Sequence, residues 1–156
     1  MRFEHLVQIN DLQQPGPLLL TRNQLWQGLV LRAESPMEFV EHIDESEVLQ
    51  RSAHGLQRRV VMGQLEVLDH IAYQHEESVH YDTQPSAKHL GGQMWMKIEE
   101  PESGALFVRF IYETPHPDDP DPELEKYLRY LQSAWQQMDL DTVITIREMA
   151  ASGRLG

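Results

Sequence analysis

Residues 122–151, PELEKYLRYLQSAWQQMDLDTVITIREMAA, decide the fold. Their larger apolar side chains fall at Leu124, Leu128, Leu131, Trp135 and Met138, and again at Ile146 and Met149. Steps of three, four and seven put these on one face of an α-helix. Glu125, Lys126, Arg129, Gln132, Gln136 and Gln137 fill the other face. The start is marked by Asp119-Pro120-Asp121-Pro122-Glu123, where either aspartate can cap and proline suits the first helical position. The same carboxylates suit the positive end of the helix. Gly153 is the expected stop, with Arg147 in the closing turns. Asp139-Leu140-Asp141-Thr142 interrupts the pattern, so a bend or a re-capped second helix is expected there. A helix this long with one apolar stripe needs a large apolar surface beneath it.

The preceding chain supplies that surface as strands. Phe3, His5, Val7 and Ile9 alternate along a first strand. Gln13 to Pro17 is a Pro/Gly connection. Thr21-Arg22-Asn23-Gln24 has the spacing of a capping box and opens a helix carrying Leu25, Trp26, Leu29 and Val30. Ser35-Pro36-Met37-Glu38 has the same form, with proline at the first helical position, and predicts a second short helix to about His42. From Ile43 to Glu113 the period changes to two. Breakers at Ala53-His54-Gly55, Gly63-Gln64, His75-Glu76-Glu77, Gln84-Pro85-Ser86 and Glu100–Gly104 cut this region into six strands of an antiparallel meander. The prediction is an α+β fold over residues 1–156, taken as one domain. A seven-stranded antiparallel sheet, with two short helices after its first strand, curls and grips the long C-terminal helix on its concave side.

Composition narrows the function. A chain of 156 residues, 40% hydrophobic and 24% charged, is long enough to bury a core. Its formal net charge of −12 opposes phosphate backbones and anionic membranes, so neither nucleic acid nor membrane is an expected partner. The absence of cysteine excludes disulfides and thiolate metal sites. Glu4, His5 and Gln8 interrupt what would be the apolar region of a signal peptide, and Arg22 stops the run Leu18-Leu19-Leu20, so the cytoplasm is the expected compartment. No Gly-x-Ser-x-Gly elbow, phosphate-cradling loop or dinucleotide fingerprint is present, and no cofactor is expected. The eight histidines include no pair with helical zinc spacing. His70, His75, His80 and His89 lie on or between neighbouring strands, but His70 faces outward, and no metal site is expected. The acidic run His116–Glu123 reads as a solvated loop, because its prolines break the spacing of a calcium loop.

The element order, with Leu106-Phe-Val-Arg-Phe-Ile-Tyr-Glu113 and the closing Asp141-Thr-Val…Ile146-Arg-Glu-Met-Ala…Gly153-Arg-Leu155, resembles the AtaL-like branch of the START/polyketide-cyclase (SRPBCC) helix-grip superfamily. The resemblance spans nearly the whole chain. It implies a cavity between sheet and helix that takes apolar or aromatic molecules, and some members of the wider superfamily are cyclases or dehydratases. The branch carries no catalytic motif to transfer, and fold alone does not decide between these activities.

Candidate binding residues follow from strand register. Gly63-Gln64 fits a two-residue type II′ turn, which pairs Met62 with Leu65, Val60 with Val67 and Arg58 with Asp69. The apolar pairs turn this face inward, so Arg58 and Asp69 stand side by side on the concave surface. An inward ion pair is costly to desolvate. One reading makes it a polar anchor for a ligand carboxylate, carbonyl or hydroxyl; the other makes it a half-wet salt bridge at the sheet end. In the last hairpin, a three-residue turn at Pro101–Ser103 pairs Ile98 with Leu106, Met96 with Val108 and Met94 with Phe110, leaving Tyr112 on the same inner face. Methionine suits a wall that must adapt to variable shapes, and it also serves plain core packing. Tyr73 and Tyr81 continue the Asp69 face inward, while Trp135 and Met138 lie on the gripping face of the helix. Each offers a ligand an apolar wall, some with a polar tip. Val60, Val67, Met96, Val108 and Phe110 are the expected contacts of the helix stripe. The same register sets Trp95 beside Arg109 on the outer face as a cation–π pair. With Phe107 and Ile111, Trp95 forms a patch that would serve a homodimer.

Three functions are consistent with these residues. The leading one is binding of a small apolar or aromatic metabolite between sheet and helix. The second is a cofactor-free cyclase or dehydratase acting on a polyketide-like or aromatic substrate, with Asp69 or a tyrosine as acid/base and Arg58 stabilising an enolate. The third is a protein-interaction module using the outer patch.

Overall fold

The computed structural model describes residues 1–14 and 16–156; Pro15, inside the Gln13–Pro17 connection, lies outside the described residues. The strands are β1 (Arg2–Gln8), β2 (Glu45–Ser52), β3 (Gly55–Met62), β4 (Leu65–Gln74), β5 (Ser78–Thr83), β6 (Gly92–Glu99) and β7 (Phe107–Glu113). Helix α1 covers Arg22–Glu34 and helix α2 covers Pro122–Ala151. All seven strands form one antiparallel sheet in the order β1-β7-β6-β5-β4-β3-β2, so the first strand closes against the last. This is the helix-grip arrangement that the sequence pattern predicts.

Helix α1 begins with the predicted capping box: the Thr21 hydroxyl accepts from Gln24 N at 3.0 Å, and the Gln24 side chain accepts from Thr21 N at 2.9 Å. The second predicted helix forms only as a 3-10 helix over Pro36–Glu38, shorter than expected, with Pro36 at its first position and no side-chain cap from Ser35. Ser35 serves both helices: its N–H donates to Leu31 O at 2.7 Å and closes α1, while its carbonyl accepts from Glu38 N at 3.1 Å.

Helix α2 starts where its sequence says. The Asp121 carboxylate accepts from Leu124 N at 2.8 Å, with Pro122 in the first turn. It then runs for 30 residues without a break, so the re-capped second helix expected at Asp139–Thr142 does not occur. The reason lies in burial. Asp139 and Thr142 are 0% and 1% exposed; Asp139 meets partners on the sheet, and Thr142 meets Arg32 of α1. Their polarity belongs to the gripping face.

The β3–β4 register is the predicted one, with Met62 opposite Leu65, Val60 opposite Val67 and Arg58 opposite Asp69. Gly63 has φ +60°, the left-handed geometry that a type II′ turn demands of its first central residue. The β6–β7 register differs from the prediction by two residues: Ile98 lies opposite Val108, Met96 opposite Phe110 and Met94 opposite Tyr112. The turn is longer because Gly104 N donates to Glu100 Oε2 at 2.8 Å, and because Leu106 O accepts from Ile9 N and Asn10 N instead of joining the ladder with β6. A slip of two preserves the faces, so every inward residue stays inward. It does change neighbours. Trp95 sits opposite Ile111, and Arg109 pairs with Glu99, so the predicted Trp95–Arg109 contact is replaced.

Val143, Ile146 and Met149 of α2 join Val7, Ile9, Met96, Val108 and Phe110 in the core, and Trp135 packs against it. Val60 and Val67 are buried but stand outside that cluster. Helix α1 crosses α2 closely at Gly28, where a Cβ would lie 2.7 Å from Ile146 Cγ2. Gly28→Val should therefore destabilise by about 1–3 kcal/mol through overpacking. In urea unfolding, adding Ile146→Ala to that variant should recover part of the loss.

Candidate functional site

The sheet register sets Arg58 and Asp69 side by side, and both are buried, at 8% and 4% exposure. Arg58 Nε donates to Asp69 Oδ2 at 2.9 Å, and Arg58 Nη1 donates to Ala33 O at 2.7 Å. The guanidinium thus also holds a carbonyl near the C-terminal end of α1, where cations are favoured. Thr83 on β5 donates to Asp69 Oδ1 at 2.6 Å. The pair is inside, as its register predicts, and it is hydrogen-bonded from two further elements rather than half-wet.

A second buried ionic group lies alongside. Arg32, at 5% exposure, points from α1 toward α2, where Nε donates to Thr142 Oγ1 at 3.0 Å and Nη2 to Met138 Sδ at 3.3 Å. Asp139 accepts from the Tyr112 hydroxyl of β7, while His5 Nδ1 of β1 stands 3.2 Å from its other oxygen. Burial pushes the Asp139 carboxyl up to about 6, against the opposing pull of Tyr112, His5 and the Arg32 charge. Burial, reinforced by the Asp139 charge, also raises the Tyr112 phenol far above its ordinary value. Burial works against the charge of Arg32, but Tyr81, Tyr112 and Asp139 outweigh it, and its pKa stands raised.

Tyr81 joins the two groups. The Arg58 and Arg32 guanidinium carbons stand 5.0 and 5.8 Å from its ring centroid, a pair of cation–π contacts. Its ring is buried at 3% exposure, and its hydroxyl has no hydrogen-bond partner among the described residues. Two arginines and two aspartates thus form a buried polar stripe, and the ring that carries the orphan hydroxyl faces both arginines.

The other predicted residues divide into two sets. Met96 and Phe110 are fully buried core side chains, at 0% and 1% exposure. Tyr112 stacks on Trp135 with ring centroids 4.2 Å apart and planes within 4°. Met94, Trp135 and Met138 are only half-buried. Tyr73 stands apart from the stripe, with its hydroxyl 3.4 Å from Glu34 Oε2 and its ring edge-on to Trp26. Burial, with the nearby Glu34 charge, raises its pKa well above the ordinary phenol value. Arg32, Asp139, His5 and Thr142 were missing from the predicted site. The signal for Asp139 is its place four residues after Trp135 and four before Val143, on the apolar stripe itself.

A groove of about 660 Å3 lies outside this stripe, between the Met37–His42 segment and α2. Met138 is shared: it lines the groove and accepts from Arg32 on the inner side. On the convex face, Ile111 is only 3% exposed, and Trp95 stacks on His80 with centroids 4.5 Å apart, so that apolar patch is smaller than its sequence suggests. Among the described residues, no three His, Asp or Glu side chains gather to hold a metal ion, and no helix is long and apolar enough to cross a membrane.

Solved structures share this architecture at low sequence identity, which speaks to the fold alone. The di-domain aromatase/cyclase StfQ from the steffimycin biosynthetic pathway aligns with a TM-score of 0.71 and 14% identity, over 97% of this chain and 51% of StfQ. The Zhui aromatase/cyclase from Streptomyces sp. R1128 aligns with a TM-score of 0.65 and 9% identity, over 97% and 93% of the two chains. The Aha1 dimer from Colwellia psychrerythraea gives a TM-score of 0.63 and 11% identity, over 94% and 96%. No curated protein matches the sequence. The family described as acetylaranotin biosynthesis cluster protein L does match, over residues 7–153, with Arg58, Asp69 and Asp139 all inside the matched span. The chain belongs to this AtaL family.

Proposed function

We propose that the protein binds a small apolar or aromatic metabolite between the concave sheet and α2, and that the buried polar stripe holds an oxygen function of that ligand. The Tyr81 hydroxyl carries this reading. An unpaired buried hydroxyl costs about 1–3 kcal/mol. Carried on a ring that two guanidinium groups approach, it is placed to meet a ligand carbonyl, hydroxyl or carboxylate. Met94, Trp135 and Met138, half-buried at the margin, supply the adaptable apolar wall. Met96, Phe110 and Tyr112 form the floor, and Tyr73 closes the far end.

Two variants test this with paired probes, 2-naphthol and naphthalene, titrated by fluorescence. Arg58→Met should weaken 2-naphthol binding by about 1–3 kcal/mol, through loss of a buried donor, and change naphthalene binding far less. Tyr81→Phe should do the same while making the ligand-free protein more stable, because it removes the orphan hydroxyl. Equal loss for both probes would reject the anchor.

A second reading, a cofactor-free cyclase or dehydratase acting on a polyketide-like or aromatic substrate, is favoured by Asp139. A carboxyl pushed up to about 6 is suited to acid/base work near neutrality. Asp139 takes that role in place of Asp69, which is fixed between Arg58 and Thr83. Turnover of an aromatic-forming polyketone that survives Asp139→Asn would remove this assignment. A homodimer through the convex face would rest on Trp95 and Phe107, which keep partial exposure.

A further inference from the structure

We propose that the groove between residues 37–42 and α2 is a separate binding site for small organic cations, a protonated amine carried on an apolar or aromatic body. Its walls leave apolar side chains facing water: Met37 is 52% exposed and Ile144 is 53% exposed, with Ala134 and Met138 between them. A volume of about 660 Å3 matches a small-molecule site, for which roughly 300–1,000 Å3 is usual.

Charge selects the occupant. Glu41, Asp141 and Glu148 border the groove, and none has an ion-pair partner among the described residues. Glu38, the fourth acid at the rim, is neutralised by Arg154 at 2.7 Å. Gln137 Nε2 donates to Asp141 Oδ1 at 2.9 Å and fixes that carboxylate, leaving its other oxygen for a ligand. Among the described residues, His42 is the one basic side chain that lines the groove, and no lysine or arginine does. An anion would meet three carboxylates, and the net charge of −12 adds a repulsive background. A neutral apolar molecule would gain only the floor. An ammonium on an apolar body gains both, and its charge is partly desolvated against Met138 and Ile144, where attraction exceeds that of a fully exposed pair.

This site is independent of the interior reading, since only Met138 touches both. The test is calorimetric and NMR titration of the whole chain at pH 7 with 1-naphthylmethylamine, 1-naphthalenemethanol and 1-naphthoate. The amine should bind at least about ten-fold tighter than the alcohol at this site, with amide shifts confined to residues 37–42 and 134–148. The double variant Asp141→Asn/Glu148→Gln should reduce amine affinity about ten-fold, to the level of the alcohol, and leave the alcohol unchanged. Ala134→Trp, which fills the floor, should abolish both. Arg58→Met should leave amine binding intact, even if it removes 2-naphthol from the interior. Equal wild-type affinity for amine and alcohol would overturn the proposal, as would amine binding that survives the double variant or falls equally with Arg58→Met.

Discussion

Asp139→Ala should destabilise the protein by about 1–3 kcal/mol in urea unfolding at pH 4, because it orphans the buried Tyr112 hydroxyl and removes the partner of His5. The same position should give stability a pH dependence of unusual sign. The Asp139 carboxyl stands near 6 in the fold against 3.8 for a free aspartate, so the folded state holds its proton more tightly. Its contribution is fully present below about pH 4 and is lost as pH rises through about 6, a change of about 3 kcal/mol at roughly 1.4 kcal/mol per unit. Asp139→Asn cannot ionise. Its stability relative to wild type should therefore rise between pH 4 and pH 6 and stay level above. A difference that is flat across that window would mean that the carboxyl titrates normally.

Phe110→Ala should cost about 3–5 kcal/mol, in the range for deleting a buried ring. Phe110 is 1% exposed and lies in the ladder between His5 on β1 and Met96 on β6. The cavity left behind would be lined by apolar groups and stay dry, so benzene should bind there and restore part of the loss. A calorimetric melting point that does not respond to benzene would indicate collapse of the wall into the space. Either way the variant measures how firmly the floor of the proposed interior site is built.

The legible parts of this protein are those set by local chemistry. Gly63 dictates a turn, the turn dictates a register, and the register delivers Arg58 opposite Asp69 on the inner face. The capping box at Thr21 and the aspartate–proline start of α2 are equally local. What the sequence hid depends on distant partners. Asp139 read as a break because a carboxylate seldom belongs on an apolar stripe. The residues that make it belong, His5 and Tyr112, lie 134 and 27 positions away. The β6–β7 loop is closed by a Glu100 side chain and by the end of β1, neither visible to hairpin rules, so the register slipped by two while the faces survived. Ser35 carries the signature of a helix start and does precede a 3-10 helix, but it also ends α1, and that second role leaves its side chain out of any cap. Arg32 gave no signal beyond its place two turns after Leu25 and about one after Leu29 on the buried side of α1.

The pairing of β1 with β7 has a consequence for how the chain is made. Arg2 lies opposite Glu113, so the first strand synthesised has no native neighbour until the last strand has left the ribosome. Helix α2, which covers their common face, emerges later still. At about 5–20 residues per second, this wait is on the order of ten seconds. Throughout it, Phe3, Val7 and Ile9 have nothing native to bury against, and an unpaired apolar strand is what neighbouring nascent chains can capture. Closure of the sheet is a distant contact made last, which places folding in the slower range for small domains.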